Sequence, residues 1–554
     1  MNHQTDPITL EIIQNALQAI SDEMFAVMRK TAMSAIIYEV LDMGTAITDG
    51  EGRLATSGAG IPSFVGALDK GVQAILNYHP VETIEPGDVF ATNDPFYGGI
   101  THLNDVILAM PVFAGGRLVA WTVNMAHWND VGGMVPGSMS TQAREVFQEG
   151  LRLPAIKLVS AGRPLQPVLA ILKANSRLPA YLQGDLWAGI AAVRIGEKRL
   201  QEILQRYGAA TFRLALHDFM ELGEQISRRA LAHLPQGVYT LEEEQDNGSV
   251  YRVAVQITPD KFTVDLRDNP AQVAGPHNVS RDGSVVAVQM VFKALTDPER
   301  RANAGTFRPL EVLTQPGTVF HMTEPAASGF YFEVRMRLAD LLWRCLAQAM
   351  GAVQLPAGHF ASVCTTVVSG PHPETGRHFT VVEPQIGGWG AVPGRDGNHA
   401  MFSCFHGETF NCPAEVAETR YGLYVDQLAL NDEPGGEGEF QGGKGIVLDY
   451  RVRSDGTTLT CGFSRYRHPV WGQQGGLDGT RNRVEVIRGG GQREEYAIAT
   501  GIPLFQGDVI RIRTANGGGY GPPAARSPER VQQDLRNGYL HHHQAREIYR
   551  LEEV

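Results

Sequence analysis

A chain of 554 residues, 43% hydrophobic and 19% charged, has core material for several globular domains at roughly 100–200 residues each. Its formal net charge of −12 argues against nucleic acid or an anionic membrane as the main partner, since both attract basic surfaces. Five scattered cysteines without a Cys-x-x-Cys pair, no basic-then-apolar leader and no apolar run near the ~20 residues of a membrane span predict a soluble, cytoplasmic protein with free thiols.

In chain order, Asp6-Pro7 opens a helix. Ile8, Ile12, Ile13, Leu17, Ile20, Met24 and Met28 recur at helical steps and form one apolar stripe. Four β-branched and apolar runs follow, over 43–49, 87–92, 105–113 and 117–127, each bounded by Gly, Pro or Asp. From about 165 to 233 the pattern turns helical, and after Pro235-Gln236-Gly237 it returns to strands. The runs 250–258 and 261–268 flank Pro259-Asp260 as a hairpin, and 334–350 reads as a helix. Beyond about 380 the chain is strand-like, with Gly-Gly pairs at 387–388, 435–436, 442–443, 475–476 and 489–490, and 527–549 closes it as a helix. The expected class is α+β and multidomain, with mixed sheets and helices and a Gly-rich, β-dominated C-terminal half. Its regions are an N-terminal α/β part (1–233), a central α+β part (234–375) and a C-terminal part (376–554).

The chemistry concentrates in two echoes, His102-Leu103-Asn104-Asp105-Val106 and His127-Trp128-Asn129-Asp130-Val131. The second echo ends one predicted strand and the first precedes another, so adjacent strand ends would bring them together. Asp42, just before a further strand, adds a carboxylate. Imidazole with carboxylate and no thiolate suits Zn²⁺ or Mn²⁺ without separating them. The same residue types also cap turns and satisfy buried backbone groups, and the pattern alone leaves both readings open. Gly438–Gly445 nearly matches a phosphate-binding loop, but Gly445 stands where Ser or Thr must reach Mg²⁺. Cys404 and His406 fit one face of a strand in a structural role, and Arg465-Tyr466-Arg467-His468 reads as a solvated turn, with an anion-binding patch as the alternative.

A set of ordered motifs over almost the whole chain resembles the hydantoinase B/oxoprolinase family, with its related acetone and acetophenone carboxylase subunits. They include Asn93-Asp94-Pro95, Gly98-Gly99-Ile100-Thr101-His102, Asp130-Val131-Gly132-Gly133, Glu149-Gly150, Gly275-Pro276-His277-Asn278, Gly387-Gly388-Trp389-Gly390 and Gly517-Gly518-Gly519-Tyr520-Gly521. The resemblance implies one divalent metal, zinc or manganese, on Asp42, His102, Asp105 and His127. It also implies an ATPase-like hydantoinase A subunit as partner, which uses ATP and Mg²⁺ to phosphorylate the substrate, in a hetero-oligomer such as alpha2beta2. Phe64 stands where many members carry a His. On this reading the chain is the hydrolytic subunit of an ATP-dependent cyclic amidase that opens a small lactam, hydantoin or 5-oxoproline ring. The implied metal would activate water, with Asp130 or Glu149 as general base. The rivals are a subunit of a ketone carboxylase and a metal-stabilised scaffold without catalysis.

Overall fold

Asp6 caps the first helix, α1 (Pro7–Thr31), by accepting the Thr9 N–H at 3.0 Å. The computed structural model describes residues 6–98, 101–350, 354–407 and 409–551; Gly99 and Ile100 of the Gly-Gly-Ile-Thr-His motif lie outside them. The buried stripe Ile13, Leu17, Ile20, Met24 and Met28 packs α1 against α2 (Pro179–His233). Contact is close, because a Cβ on Gly196 would meet Met24 Sδ at 2.4 Å. The helical pattern of α2 is broken once, at Gly208, where φ is 80°.

Seven strands form one sheet: β1 (Met43–Asp49), β2 (Leu54–Gly60), β3 (Val89–Thr92), β4 (Asp105–Ala114), β5 (Arg117–His127), β6 (Ile156–Ser160) and β7 (Arg163–Pro164). Their order is β2-β1-β5-β4-β3-β6-β7, and every neighbouring pair is antiparallel. Helix α2 covers one face, where Asn124 Nδ2 donates to Gly189 O at 2.8 Å and Thr122 Oγ1 to Val193 O at 2.9 Å. Phe64, Leu68, Val72, Phe90, Ile107 and Trp121 belong to a core on the same sheet. Burial on both faces explains why β4 and β5 read as nearly unbroken apolar runs rather than as alternating ones.

The chain divides into two compact units, each assembled from separate stretches of sequence. The first comprises 1–238, 255–335 and 405–410 and holds the seven-stranded sheet; the second comprises 239–254, 336–404 and 411–554. Val250–Ile257 and Phe262–Asp265 are neighbouring strands across the Pro259-Asp260 turn, as the sequence predicts. Helix α3 (Tyr331–Ala349) starts three residues earlier than its apolar pattern indicates.

In the second unit the glycine pairs bring backbones together. A Cβ on Gly388 would meet Gly443 O at 2.0 Å, and one on Gly517 would meet Trp389 O at 2.2 Å. The segment Gly438–Gly445 runs into the strand Ile446–Val452, not into a helix as a phosphate loop requires.

Three local expectations need correction. Residues 527–549 form two short helices, Pro528–Arg536 and His542–Glu547, because Gly538 between them has φ 75°. Arg465 is not on a solvated turn: it is 2% exposed and donates to Asp340 Oδ2 at 2.5 Å and Glu243 Oε1 at 3.1 Å. Cys404 and His406 lie in a turn rather than a strand, and Cys404 Sγ stands 3.8 Å from His359 Nε2. Among the described residues no helix is long and apolar enough to cross a membrane.

Candidate metal centre

Antiparallel pairing gathers the candidate ligands at one end of the sheet. The start of β1, the end of β5 and the start of β4 all lie there, because these three strands are adjacent and alternate in direction. Asp105 and His127 are register partners, and the His127 N–H donates to Asp42 O at 3.0 Å. The loop before β4 is fixed by Asn93, whose Nδ2 donates to Leu103 O at 2.7 Å, and by Asn104, whose Nδ2 donates to Trp128 O at 2.8 Å.

His102, Asp105 and His127 are all buried, and each offers a ligand atom within 4.8 Å of the others. His102 is fixed in orientation: Nδ1–H donates to Gly329 O at 3.1 Å, which turns Nε2 toward Asp105 Oδ1 at 3.2 Å. In the metal-free chain a proton on Nε2 fills that position, because Asp105 and the Gly329 carbonyl raise the His102 pKa; a bound cation would take the proton's place. Asp105 Oδ2 accepts from the Tyr331 hydroxyl at 3.1 Å.

Several buried atoms here have no partner. Both ring nitrogens of His127 and Asp42 Oδ1 make no hydrogen bond. An imidazole and a carboxylate oxygen left this way are costly unless a ligand takes them. Burial, helped by the His102 charge, lowers the His127 pKa to about 3 and keeps it neutral as a ligand must be. Burial and then the neighbouring Asp105 charge push Asp42 well above the usual carboxylate range, against the opposing charges of His102 and Arg335. For His102 burial acts downward, but Asp105 and the Gly329 carbonyl outweigh it. The donor set of imidazole and carboxylate, with orphaned atoms, fits a borderline divalent cation.

Of the six residues singled out in the sequence, His102, Asp105 and His127 come together as one group, with Asp42 beside them. Glu149 and Asp130 make contacts elsewhere. Glu149 accepts the Ser328 N–H at 2.9 Å and the Gly329 N–H at 2.5 Å, and so presents the Gly329 carbonyl to His102. A Cβ at position 329 would stand 2.8 Å from Glu149 Oε1, so a larger residue there would displace that carboxylate. Burial raises the Glu149 pKa to about 7, against the two N–H groups. Asp130 is bound to its own loop, accepting from Gly132 N, Gly137 N, Arg177 N and Arg177 Nη1. The two echoes therefore differ: the first supplies His and Asp to the group, the second only His.

Tyr331, Gly329 and Arg335 were missed in the sequence because they lie more than 200 residues from His102, as the Tyr331–Asp105 separation of 226 shows. One signal was available: the charged residues Arg335, Arg337, Asp340 and Arg344 interrupt an apolar helical run. Phe64, in the place of a family His, is buried in the hydrophobic core.

The family model described as Hydantoinase B/oxoprolinase matches residues 6–523. The chain belongs to the hydantoinase B/oxoprolinase family. The caprolactamase subunit beta of Pseudomonas jessenii is 30% identical, over 97% of this chain and 94% of that relative. The crystal structure of the ATP-dependent caprolactamase from Pseudomonas jessenii superposes with a TM-score of 0.90 at 28% identity, covering 98% of this chain and 96% of that one. 5-Oxoprolinase 1 of Arabidopsis thaliana is 26% identical and matches 93% of this chain, which covers 42% of that longer relative. The resemblance read in the motifs is thereby established at the level of the family and its α+β, multidomain fold.

Proposed function

We propose that this chain is the hydrolytic subunit of an ATP-dependent cyclic amidase, with a divalent metal centre on His102, Asp105 and His127 and with Asp42 as a further ligand. The observation that carries the reading is His127: a neutral, buried imidazole with both nitrogens unpartnered, opposite a carboxylate and beside a second imidazole. A zinc or manganese ion held there supplies Lewis acidity, which can bring the pKa of water from ~15.7 to about 7.

The chain's own residues set up that chemistry. Gly329 O holds His102 so that Nε2 faces inward, and Tyr331 holds one oxygen of Asp105. Glu149 positions the 328–329 backbone, and Asp130 anchors the loop after β5. Neither is assigned as general base, because their carboxylate oxygens already accept N–H groups. Aromatic side chains Tyr331 and Phe332 pack against His102 and limit water at the site.

The substrate class is a small lactam, hydantoin or 5-oxoproline. A partner ATPase subunit would phosphorylate the amide oxygen; one water then adds at that carbon and the ring nitrogen leaves as the amine, giving an acyl phosphate, which a second water cleaves to carboxylate and inorganic phosphate. Relatives named as a lactamase beta subunit and an oxoprolinase support this class and the need for a partner. The test is reconstitution with the candidate partner, ATP and a panel of hydantoins, lactams and 5-oxoproline. Ring opening that needs both subunits and is lost in Asp42→Asn is expected; carboxylation of a simple ketone instead would overturn it.

A further inference from the structure

Arg335 is a buried cation with almost nothing to bind. It is 1% exposed, on the second turn of α3. Nη2 donates to Ser63 Oγ at 3.0 Å, while Nε and Nη1 have no hydrogen-bond partner. Among the described residues it makes no ion pair. A guanidinium desolvated in this way is strongly destabilising unless an anion accompanies it.

Its placement is as informative as its lack of partners. The guanidinium carbon lies 4.8 Å from the centre of the Tyr331 ring and 5.3 Å from that of Phe405, so two aromatic faces hold it. The hydroxyl of the same Tyr331 donates to Asp105. Arg335 is thus one aromatic ring away from the metal-centre group and acts electrostatically on Asp42. With the Asp42 and Asp105 carboxylates engaged by a divalent cation, no other carboxylate among the described residues pairs with the guanidinium. A rigid, weakly hydrated guanidinium with free N–H donors is suited to the oxygens of a phosphoryl group.

We propose that Arg335 is the oxyanion-binding residue of this site, with Nε and Nη1 donating to the phosphoryl oxygens of the phosphorylated substrate. This assignment rests on the functional reading above and deepens it, by naming what the site holds on the side of the substrate that carries phosphate.

The test is calorimetric titration of inorganic phosphate into the full chain, with metal content measured on the same samples. Wild type is expected to bind phosphate. Arg335→Met is expected to lose about tenfold or more of that affinity, and Arg335→Lys less, both with wild-type circular dichroism and metal content. Equal affinity in wild type and a folded variant overturns the assignment, and so does a wild type that binds no phosphate. Tungstate soaked into wild-type crystals gives a reading independent of variants: density on Arg335 Nε and Nη1 supports it, and density only elsewhere overturns it. Phosphate binding that depends on Arg335 in a chain that holds no metal would refute the metal centre and leave the oxyanion site standing. The reconstituted complex separates the sources of phosphate. ATP cleavage uncoupled from ring opening in Arg335→Lys is expected if Arg335 holds the substrate's phosphoryl group. Unchanged coupling with relief of inhibition by added phosphate would mean that it holds only the released ion, and would overturn the substrate assignment.

Discussion

His127, the last residue of β5, stands directly opposite Asp105, the first residue of β4. The pairing of Met43 with Ala126 in the adjoining ladder brings Asp42 to the same place. The candidate centre is therefore a property of strand register. A slip by one residue would turn these side chains to the opposite face.

Purified chain is expected to carry one divalent cation, and His102→Ala and His127→Ala to lose it while remaining folded. Elemental analysis with circular dichroism on the same samples checks this. Equal metal content in all three proteins would remove the ligand assignment.

How much of this was legible beforehand depends on distance along the chain. The four strand runs, the first helix and the His-x-Asn-Asp-Val echoes are local patterns, and strand ends bracket them, so the sequence points at Asp42, His102, Asp105 and His127. The echo could not show that Asp130 serves its own loop, because that depends on Arg177 and on the turn at Gly132–Gly137. Tyr331, Gly329 and Arg335 reach the site through folding over more than 200 residues, and no spacing rule connects them to His102. Arg465 was misread because a basic run looks solvated until its partners, Glu243 and Asp340, are known.

Tyr331→Phe keeps the ring against Arg335 and removes only the donor to Asp105. Second contacts of this kind typically change metal affinity by roughly 10–100-fold. Competition with a chromophoric chelator should show weaker metal retention in Tyr331→Phe, with unchanged thermal stability of the metal-free protein to within about 1 kcal/mol. Identical retention would show that the hydroxyl does not orient Asp105.

Glu149 gives a pH signature in the metal-free chain. Its folded pKa of about 7 lies above the ordinary 4.5. Below pH 4.5 the carboxyl is protonated folded or unfolded; between 4.5 and 7 only the folded chain keeps the proton. Stability should therefore fall as pH rises through this window, by roughly 3 kcal/mol at about 1.4 kcal/mol per unit. Glu149→Gln should flatten that slope in urea unfolding midpoints. The same slope in both proteins would assign the titration to another group.

The chain alone should hydrolyse no ATP, because Gly438–Gly445 leads into a strand and its amides are already engaged, those of Glu439, Phe440, Gly442 and Gly443 with carbonyls and those of Gln441, Lys444 and Gly445 with the Asp396, His399 and Asn516 side chains. Phosphate release assays with the pure chain check this. Steady release that persists in His127→Ala would place a nucleotide site in this subunit.

The most direct test of the central claim follows the atoms. The reconstituted two-subunit enzyme is supplied with ATP, a cyclic amide and water labelled with heavy oxygen, with and without labelled bicarbonate. Heavy oxygen in the product carboxylate, no requirement for bicarbonate, and loss of the signal in Asp42→Asn while the partner still binds ATP is the predicted result. Bicarbonate carbon appearing in the product with the ring intact would contradict it and establish a carboxylase.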